Sequence, residues 1–210
     1  MLGSITERQY GILAVCMFVI LGAFAQGCTQ AVNEKTIQPA QQLQYPSEVK
    51  TKQLKPGLSV IYFHDKYLHI KEMPTGKRIV KYAHPGPPIL KIDHRFGRGE
   101  VFDSGRSQAV GMIMSGYFHL EEPGVYQFQA HSNDGFQLYI NNSLVINDPG
   151  VHPDRLSDPG RIEVVKEGWY PVELKYFQRK GTAILELYWQ TPGSDAFTII
   201  PERVYAHQPE

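Results

Sequence analysis

Apolar and polar side chains alternate along this chain most clearly between residues 124 and 147. Apolar residues occupy every second position in two runs: Tyr126, Phe128 and Ala130, then Phe136, Leu138 and Ile140. A strand with one buried face requires this alternation, because successive side chains point to opposite sides of a sheet. The pattern therefore predicts two strands, and residues 144–146 form a third apolar run.

Two short polar segments separate these three runs. Ser132-Asn133-Asp134-Gly135 ends in glycine and carries a carboxylate beside an amide. Asn141-Asn142 is a dipeptide that tolerates the positive φ of a tight hairpin. We therefore expect two hairpins. The 132–135 turn is where we expect a small ligand to bind, because it gathers polar oxygen atoms at one corner.

The remainder of the folded part shows similar short runs. Strands are predicted near residues 58–63, 89–93, 109–120, 161–165, 172–176 and 183–189, with Gly-, Pro- or Asn-containing turns between them. Residues 71–88 are rich in proline, glycine and lysine and are predicted as a loop. Beyond the N-terminus, no window keeps the 3.6-residue period of an amphipathic helix. The chain is therefore predicted to be all-β, an antiparallel sandwich or barrel.

The N-terminus is predicted to be an export signal. Arg8 precedes an apolar run over residues 11–25, which is shorter than the about 20 residues of a membrane span. Residues 25–28 resemble a lipobox, which would remove residues 1–27 and leave Cys28 as a palmitate-bearing, lipid-modified N-terminus. Ordinary signal cleavage after Ala25 is the alternative, and it would release a secreted protein. Residues 28–55 are polar and glutamine-rich, and we interpret them as a flexible tether before one domain at 56–210.

Composition narrows the class of partner and of chemistry. Lys+Arg and Asp+Glu balance at 21 each, so no net charge attracts nucleic acid. Both cysteines, Cys16 and Cys28, fall in or beside the signal, which leaves none for a disulfide or a cysteine-ligated zinc in the domain. The sequence contains no nucleophile elbow, phosphate-binding glycine loop or His-Glu-x-x-His motif, and we expect no enzymatic activity.

Several short motifs follow one another in a characteristic order along the predicted domain. They lie at residues 115–118, 124–128, 132–140, 144–146, 168–172, 183–189 and 200–202, together with His152 and Tyr176. This ordered set, which spans residues 57–205, resembles the protective-antigen fourteen-kilodalton (PA-14) domain family. The resemblance implies a β-sandwich related to lectin-like jelly rolls, used as a carbohydrate-binding or accessory module.

The resemblance also implies a calcium site at Asn133 and Asp134. Sugar-binding members of the family commonly carry two consecutive aspartates here, joined by a cis peptide, and calcium takes about 6–8 oxygen ligands and leaves positions for sugar hydroxyls. An amide at Asn133 removes one negative charge, so we expect calcium binding to be weakened or lost. Asp134 can act instead as a turn former that accepts backbone hydrogen bonds.

Three further residues belong to the predicted ligand site. Asp148 and His152 follow the third strand and are expected to approach the same end of the sandwich as Asp134. Trp169 is expected either to stack on a sugar ring or to pack in the core.

Together these features predict an envelope-anchored, non-enzymatic module that binds a glycan or cell-surface polysaccharide. The alternative is a structural or protein-interaction component of a cell-envelope assembly that binds no sugar. The lipid would hold the protein at the membrane. Thr29 follows Cys28 in place of the aspartate that retains lipoproteins in the inner membrane, so a Gram-negative host would place it in the outer membrane.

Overall fold

Two β-sheets stacked face to face make up the part of the chain that the computed structural model describes, residues 39–46 and 53–209. The strands are β1 (Gln41–Leu43), β2 (Lys55–Pro56), β3 (Leu58–Phe63), β4 (His84–Ile89), β5 (Asp93–Gly97), β6 (Val110–Leu120), β7 (Gly124–Asn133), β8 (Phe136–Ile140), β9 (Ser143–Asp148), β10 (Arg155–Leu156), β11 (Gly160–Val164), β12 (Gly168–Gln178), β13 (Ala183–Gln190), β14 (Thr198–Ile199) and β15 (Tyr205–His207). One helix, α1 (Lys77–Tyr82), and two 3-10 turns, Ile70–Glu72 and Glu202–Val204, complete the described elements. Within these residues, no helix has the length and apolar character to span a bilayer.

The sheets contain seven and eight strands. In the seven-stranded sheet the order is β1-β11-β7-β13-β14, with β10 paired to β7 and β5 paired to β13. In the eight-stranded sheet the order is β2-β15-β6-β12-β8-β9, with β3 paired to both β6 and β4. Strand β1 runs parallel to β11, and the other pairs described here are antiparallel. The predicted antiparallel β-sandwich of lectin-like type is confirmed.

The alternating runs supply the core between the sheets. Tyr126, Phe128 and Ala130 on β7 are at most 1% exposed, and Phe136, Leu138 and Ile140 on β8 are completely buried. Trp189 on β13 is also in the core, at 4% exposure. Each large apolar side chain buried in this way stabilises the fold by about 1.5–3 kcal/mol.

The predicted hairpin at Asn141-Asn142 is confirmed. Both residues have positive φ, 48° and 63°, which is the left-handed conformation that the tight turn between β8 and β9 needs. Asparagine tolerates this conformation better than most residues, because its short side chain can hydrogen-bond locally.

The loop predicted over residues 71–88 is wrong in part, because it contains α1 and β4. Helix α1 is only six residues long and buries none of them, so it has no apolar period that the sequence could reveal. Strand β4 carries three prolines, which lack the N–H that a central strand must donate. They are tolerated because β4 lies at an edge and pairs with β3 alone.

Part of the range predicted as a tether also belongs to the fold. Residues 41–43 form β1, which pairs with β11, and Leu43 is only 1% exposed. A single apolar residue among glutamines gives little periodic signal, whereas backbone pairing with β11 and burial of Leu43 hold the segment on the sheet. The predicted signal at 1–27 and Cys28 lie outside the described residues.

Candidate functional site

The 132–135 turn joins β7 to β8 at one end of the sandwich. Within it, the peptide bond between Asn133 and Asp134 is cis. Strand β12 holds the turn at three points. The Tyr176 hydroxyl donates to the Asn133 carbonyl (2.6 Å), the Asp134 N–H donates to the Phe177 carbonyl (3.1 Å), and the Phe177 N–H donates to the Gly135 carbonyl (3.0 Å).

The Asp134 side chain points into the protein and is only 3% exposed. Its Oδ2 accepts a hydrogen bond from the Arg179 N–H at 2.8 Å, and the backbone N–H of His152 also donates to the carboxylate. Burial raises the pKa of the Asp134 carboxyl, and these two backbone bonds offset part of the rise. Asp134 therefore connects the β12–β13 hairpin tip to the loop before β10, which is a structural role.

Asn133 lies nearer the surface than Asp134. Its side-chain Nδ2 donates to Asp154 Oδ1 at 2.8 Å, which directs the amide toward the loop before β10. The two consecutive side chains are therefore hydrogen-bonded to different partners.

Asp148, His152 and Arg155 form a polar cluster beside the turn, in which Asp148 and Arg155 are an ion pair. The Arg155 guanidinium donates through Nε (3.1 Å) and Nη2 (2.5 Å) to the two oxygens of Asp148. The His152 ring is 4% exposed; its Nδ1 donates to the Pro153 carbonyl (2.9 Å), and its Nε2 lies 3.3 Å from Asp148 Oδ2. The structure thus brings Asp148 and His152 to the same end as Asp134.

A polar hollow of about 320 Å³ opens next to this cluster. Its lining residues lie at the end of β9 and on the segment through β10: Asn147, Asp148, Arg155, Leu156, Ser157 and Asp158. The Arg155 side chain is 53% exposed and Leu156 is 54% exposed, so both are accessible to a ligand. Sequence reasoning found only Asp148 among these residues, because the loop at 149–160 shows no periodicity that would place Arg155 opposite it.

Trp169 does not join this site. It lies at the start of β12, about 30 Å along the strand from the hairpin tip at Arg179. Its indole stacks on the His119 ring, with centroids 4.7 Å apart and planes 29° apart. A ligand at the 132–135 turn cannot reach it.

The side chains around the turn do not fit a calcium ion. Calcium needs a shell of about 6–8 oxygens, whereas Asp134 is buried against backbone N–H groups and the Asn133 amide is engaged with Asp154. Across residues 39–46 and 53–209, no group of three or more His, Cys, Asp or Glu is arranged to hold a metal. The adjacent hairpin tip carries Arg179 and Lys180, whose positive charges oppose a cation.

Comparisons with known proteins place this geometry in a family. Residues 54–203 match the PA14 domain. The PA14 sugar-binding domain from an RTX adhesin has 18% identity and a TM-score of 0.52, covering 72% of this chain and 98% of that one. The epithelial adhesin 9 A domain from Candida glabrata, in complex with Galβ1-4GlcNAc, has 13% identity and a TM-score of 0.57, covering 80% and 95%.

A longer protein also shares the fold. An anti-sigma factor domain-containing protein from Clostridium clariflavum has 20% identity and a TM-score of 0.59, covering 74% of this chain and 49% of that chain. The match thus extends over about half of that protein. No curated protein sequence matches at a significant level. Because the family match extends over more than half of its residues, the chain belongs to the PA14 domain family.

Proposed function

We propose that the domain is a non-enzymatic carbohydrate-binding module and that the polar hollow beside the 132–135 turn is its sugar site. The observation that carries the proposal is the Asp148–Arg155 pair at the wall of the hollow. A carboxylate accepts and a guanidinium donates, so the pair can share two neighbouring sugar hydroxyls.

The other lining residues suit the same ligand class. The Asn147 side chain offers both donor and acceptor atoms, and its Oδ1 is oriented by a bond from Gln137 Nε2 at 2.7 Å. The exposed Leu156 side chain can cover the apolar C–H face of a sugar ring. A volume of about 320 Å³ is at the lower end for ligand sites and favours one or two sugar units.

Two structures with the same fold support this class of ligand. One is described as a sugar-binding domain and the other is in complex with Galβ1-4GlcNAc. Because the described residues do not supply a calcium shell, we propose that binding here depends on the Asp148–Arg155 pair without a metal.

A glycan array followed by calorimetry on the full chain tests the proposal. Arg155→Gln should weaken binding of the best array ligand about tenfold, since it removes charge-assisted hydrogen bonds. Arg203→Gln is the matched control, because Arg203 makes the same two-point contact with Glu121 (2.9 and 3.0 Å) and is similarly exposed, at 63%. Equal losses in both variants would contradict the site.

The function itself has a separate test. Failure of the wild-type protein to bind any glycan, together with capture of one protein partner, would favour the alternative of an interaction component in an envelope assembly. Loss of glycan binding in the presence of a calcium chelator would contradict the proposal that binding needs no metal.

We also propose that the module is held at the cell envelope by a lipid on Cys28, in the outer membrane if the host is Gram-negative. The supporting observation is the position of this cysteine directly after the apolar run. Metabolic labelling with an alkyne fatty acid should mark the wild type and Cys16→Ser but not Cys28→Ser. Label retained on Cys28→Ser would contradict lipidation at Cys28, and no label on the wild type would favour cleavage after Ala25 and secretion.

A further inference from the structure

A second recess lies at the same end of the sandwich, at the other edge of the eight-stranded sheet. It has a volume of about 300 Å³, and its polar and aromatic lining includes His64, Asp65, Tyr67, Arg78, Tyr82 and His84. Strand β3, which leads into it, is separated from β9 by β6, β12 and β8. Four strand spacings amount to about 19 Å, so the recess is distinct from the polar hollow.

The floor of the recess is firmly packed. The segment between β3 and β4 buries a small apolar cluster against the outer face of the sheet: Phe63, Tyr67, Ile70, Met73, Ile113 and Phe177. The Ile70 N–H also donates to the Pro149 carbonyl at 2.9 Å. The recess is therefore a preformed feature of the fold.

The polar groups around the recess are available to a ligand. Within the described part of the chain, no carboxylate forms an ion pair with Arg78. The His64 and His84 rings stack, with centroids 4.5 Å apart and planes 14° apart. His64 Nε2 donates to the Ser104 carbonyl at 2.9 Å, which leaves Nδ1 as a free acceptor in the neutral ring.

Charge around the recess differs from that of the whole chain. Residues 64–84 carry five Lys or Arg and two acidic residues, although the chain has a formal net charge of zero. Lys81 Nζ lies 5.0 Å from the centre of the Tyr82 ring, which lines the recess, so a second cation is adjacent to the lining. This local excess of positive charge favours an anionic ligand.

We propose that this recess binds a carboxylate-bearing sugar, with its carboxylate on the Arg78 guanidinium and its ring against Tyr82. The planar guanidinium matches a carboxylate with two parallel hydrogen bonds. Tyr82 is 45% exposed and presents an aromatic surface to the C–H groups of a sugar. The Asp65 carboxylate accepts hydrogen bonds from sugar hydroxyls and repels a second anionic group. The recess therefore favours a ligand whose negative charge lies at one end.

Calorimetry on the full chain with a galacturonate trimer and with the uncharged galactose trimer tests this proposal. The wild type should bind the galacturonate trimer about tenfold more tightly than the neutral trimer, and Arg78→Gln should remove that preference. Lys77→Gln is the matched control, because it removes the same charge from an exposed position of α1 that does not line the recess. Its affinity for galacturonate should stay within about twofold of wild type.

Three outcomes would overturn the proposal. Equal weakening by Arg78→Gln and Lys77→Gln would indicate general attraction to a basic surface. Equal affinity for the two trimers would show that the ligand's carboxylate does not contribute to binding. No binding of galacturonate at millimolar concentration would exclude the site.

Discussion

Replacing Glu186 with glutamine should destabilise the domain far more than the same change at Glu121. Glu186 lies on β13 and is only 4% exposed. Its carboxylate accepts from Arg95 Nε (2.6 Å) and Nη2 (2.8 Å), from His131 Nδ1 (3.0 Å) and from the Tyr188 hydroxyl (2.8 Å). One buried carboxylate thus joins β5, β7 and β13.

The size of the expected destabilisation in Glu186→Gln follows from these hydrogen bonds. Burial by itself raises the pKa of the Glu186 carboxyl, but the bonds from Arg95, Tyr188 and His131 outweigh it and hold the pKa below its usual 4.5. Hydrogen bonds to a charged group contribute about 1.5–3 kcal/mol, and a glutamine amide would turn its own donors toward the Arg95 donors. We expect Glu186→Gln to lower the free energy of unfolding by about 2–3 kcal/mol, or about 4–12 °C in melting temperature.

Glu121 provides a matched comparison. It accepts the same two-point contact from Arg203, at 2.9 and 3.0 Å, but its side chain is 41% exposed. Solvent screens this pair, and exposed ion pairs contribute about 0–1 kcal/mol. Glu121→Gln should therefore cost less than about 1 kcal/mol.

Urea unfolding of both variants and the wild type, measured at neutral pH and in steps to pH 3, is the assay. Because the folded pKa of Glu186 is depressed, its contribution is complete above its unfolded pKa of about 4.5 and is lost as the pH falls through the folded value. The difference between wild type and Glu186→Gln should therefore shrink below about pH 4.5. Equal costs at the two positions, or a difference that does not change with pH, would refute this reasoning.

Three further predictions concern the 132–135 turn. Tyr176→Phe removes the hydroxyl that donates to the Asn133 carbonyl, so urea unfolding should show a loss of about 1–2 kcal/mol, and an unchanged midpoint would count against the bond. Gly135→Ala would drive a Cβ into the Phe177 ring and should cost about 1–3 kcal/mol, whereas Gly150→Ala, whose Cβ meets nothing within 4 Å, should be nearly neutral in the same assay. Millimolar calcium should leave the melting temperature unchanged in a thermal scan. An ion that binds the folded state, present at 100 times its Kd, would raise the free energy of unfolding by about 2.7 kcal/mol. A stabilisation of that size would contradict the conclusion that the turn does not fit calcium.

The sandwich was predictable because its signals are local. Period-2 alternation in β7 and β8 reports which side of a strand is buried, and the Asn141-Asn142 turn reports the hairpin between β8 and β9. Helix α1 and strand β1 escaped prediction for the converse reason. The first buries no side chain and the second buries one clearly apolar residue, Leu43, so neither leaves a periodic pattern.

The candidate site depended on contacts between distant parts of the chain. Asp134 looked like a ligand in sequence, but the Arg179 N–H that occupies its carboxylate comes from 45 residues further along. Trp169 looked available to the same ligand, yet β12 carries it to the far end of the sandwich. The sequence by itself determined the strands with alternating side chains, the hairpin turn at Asn141-Asn142 and the family, because periodicity and turn chemistry act between neighbouring residues. The tertiary structure alone decided that Arg155 meets Asp148 and that Arg78 borders a recess, since strand order and loop packing bring these groups together.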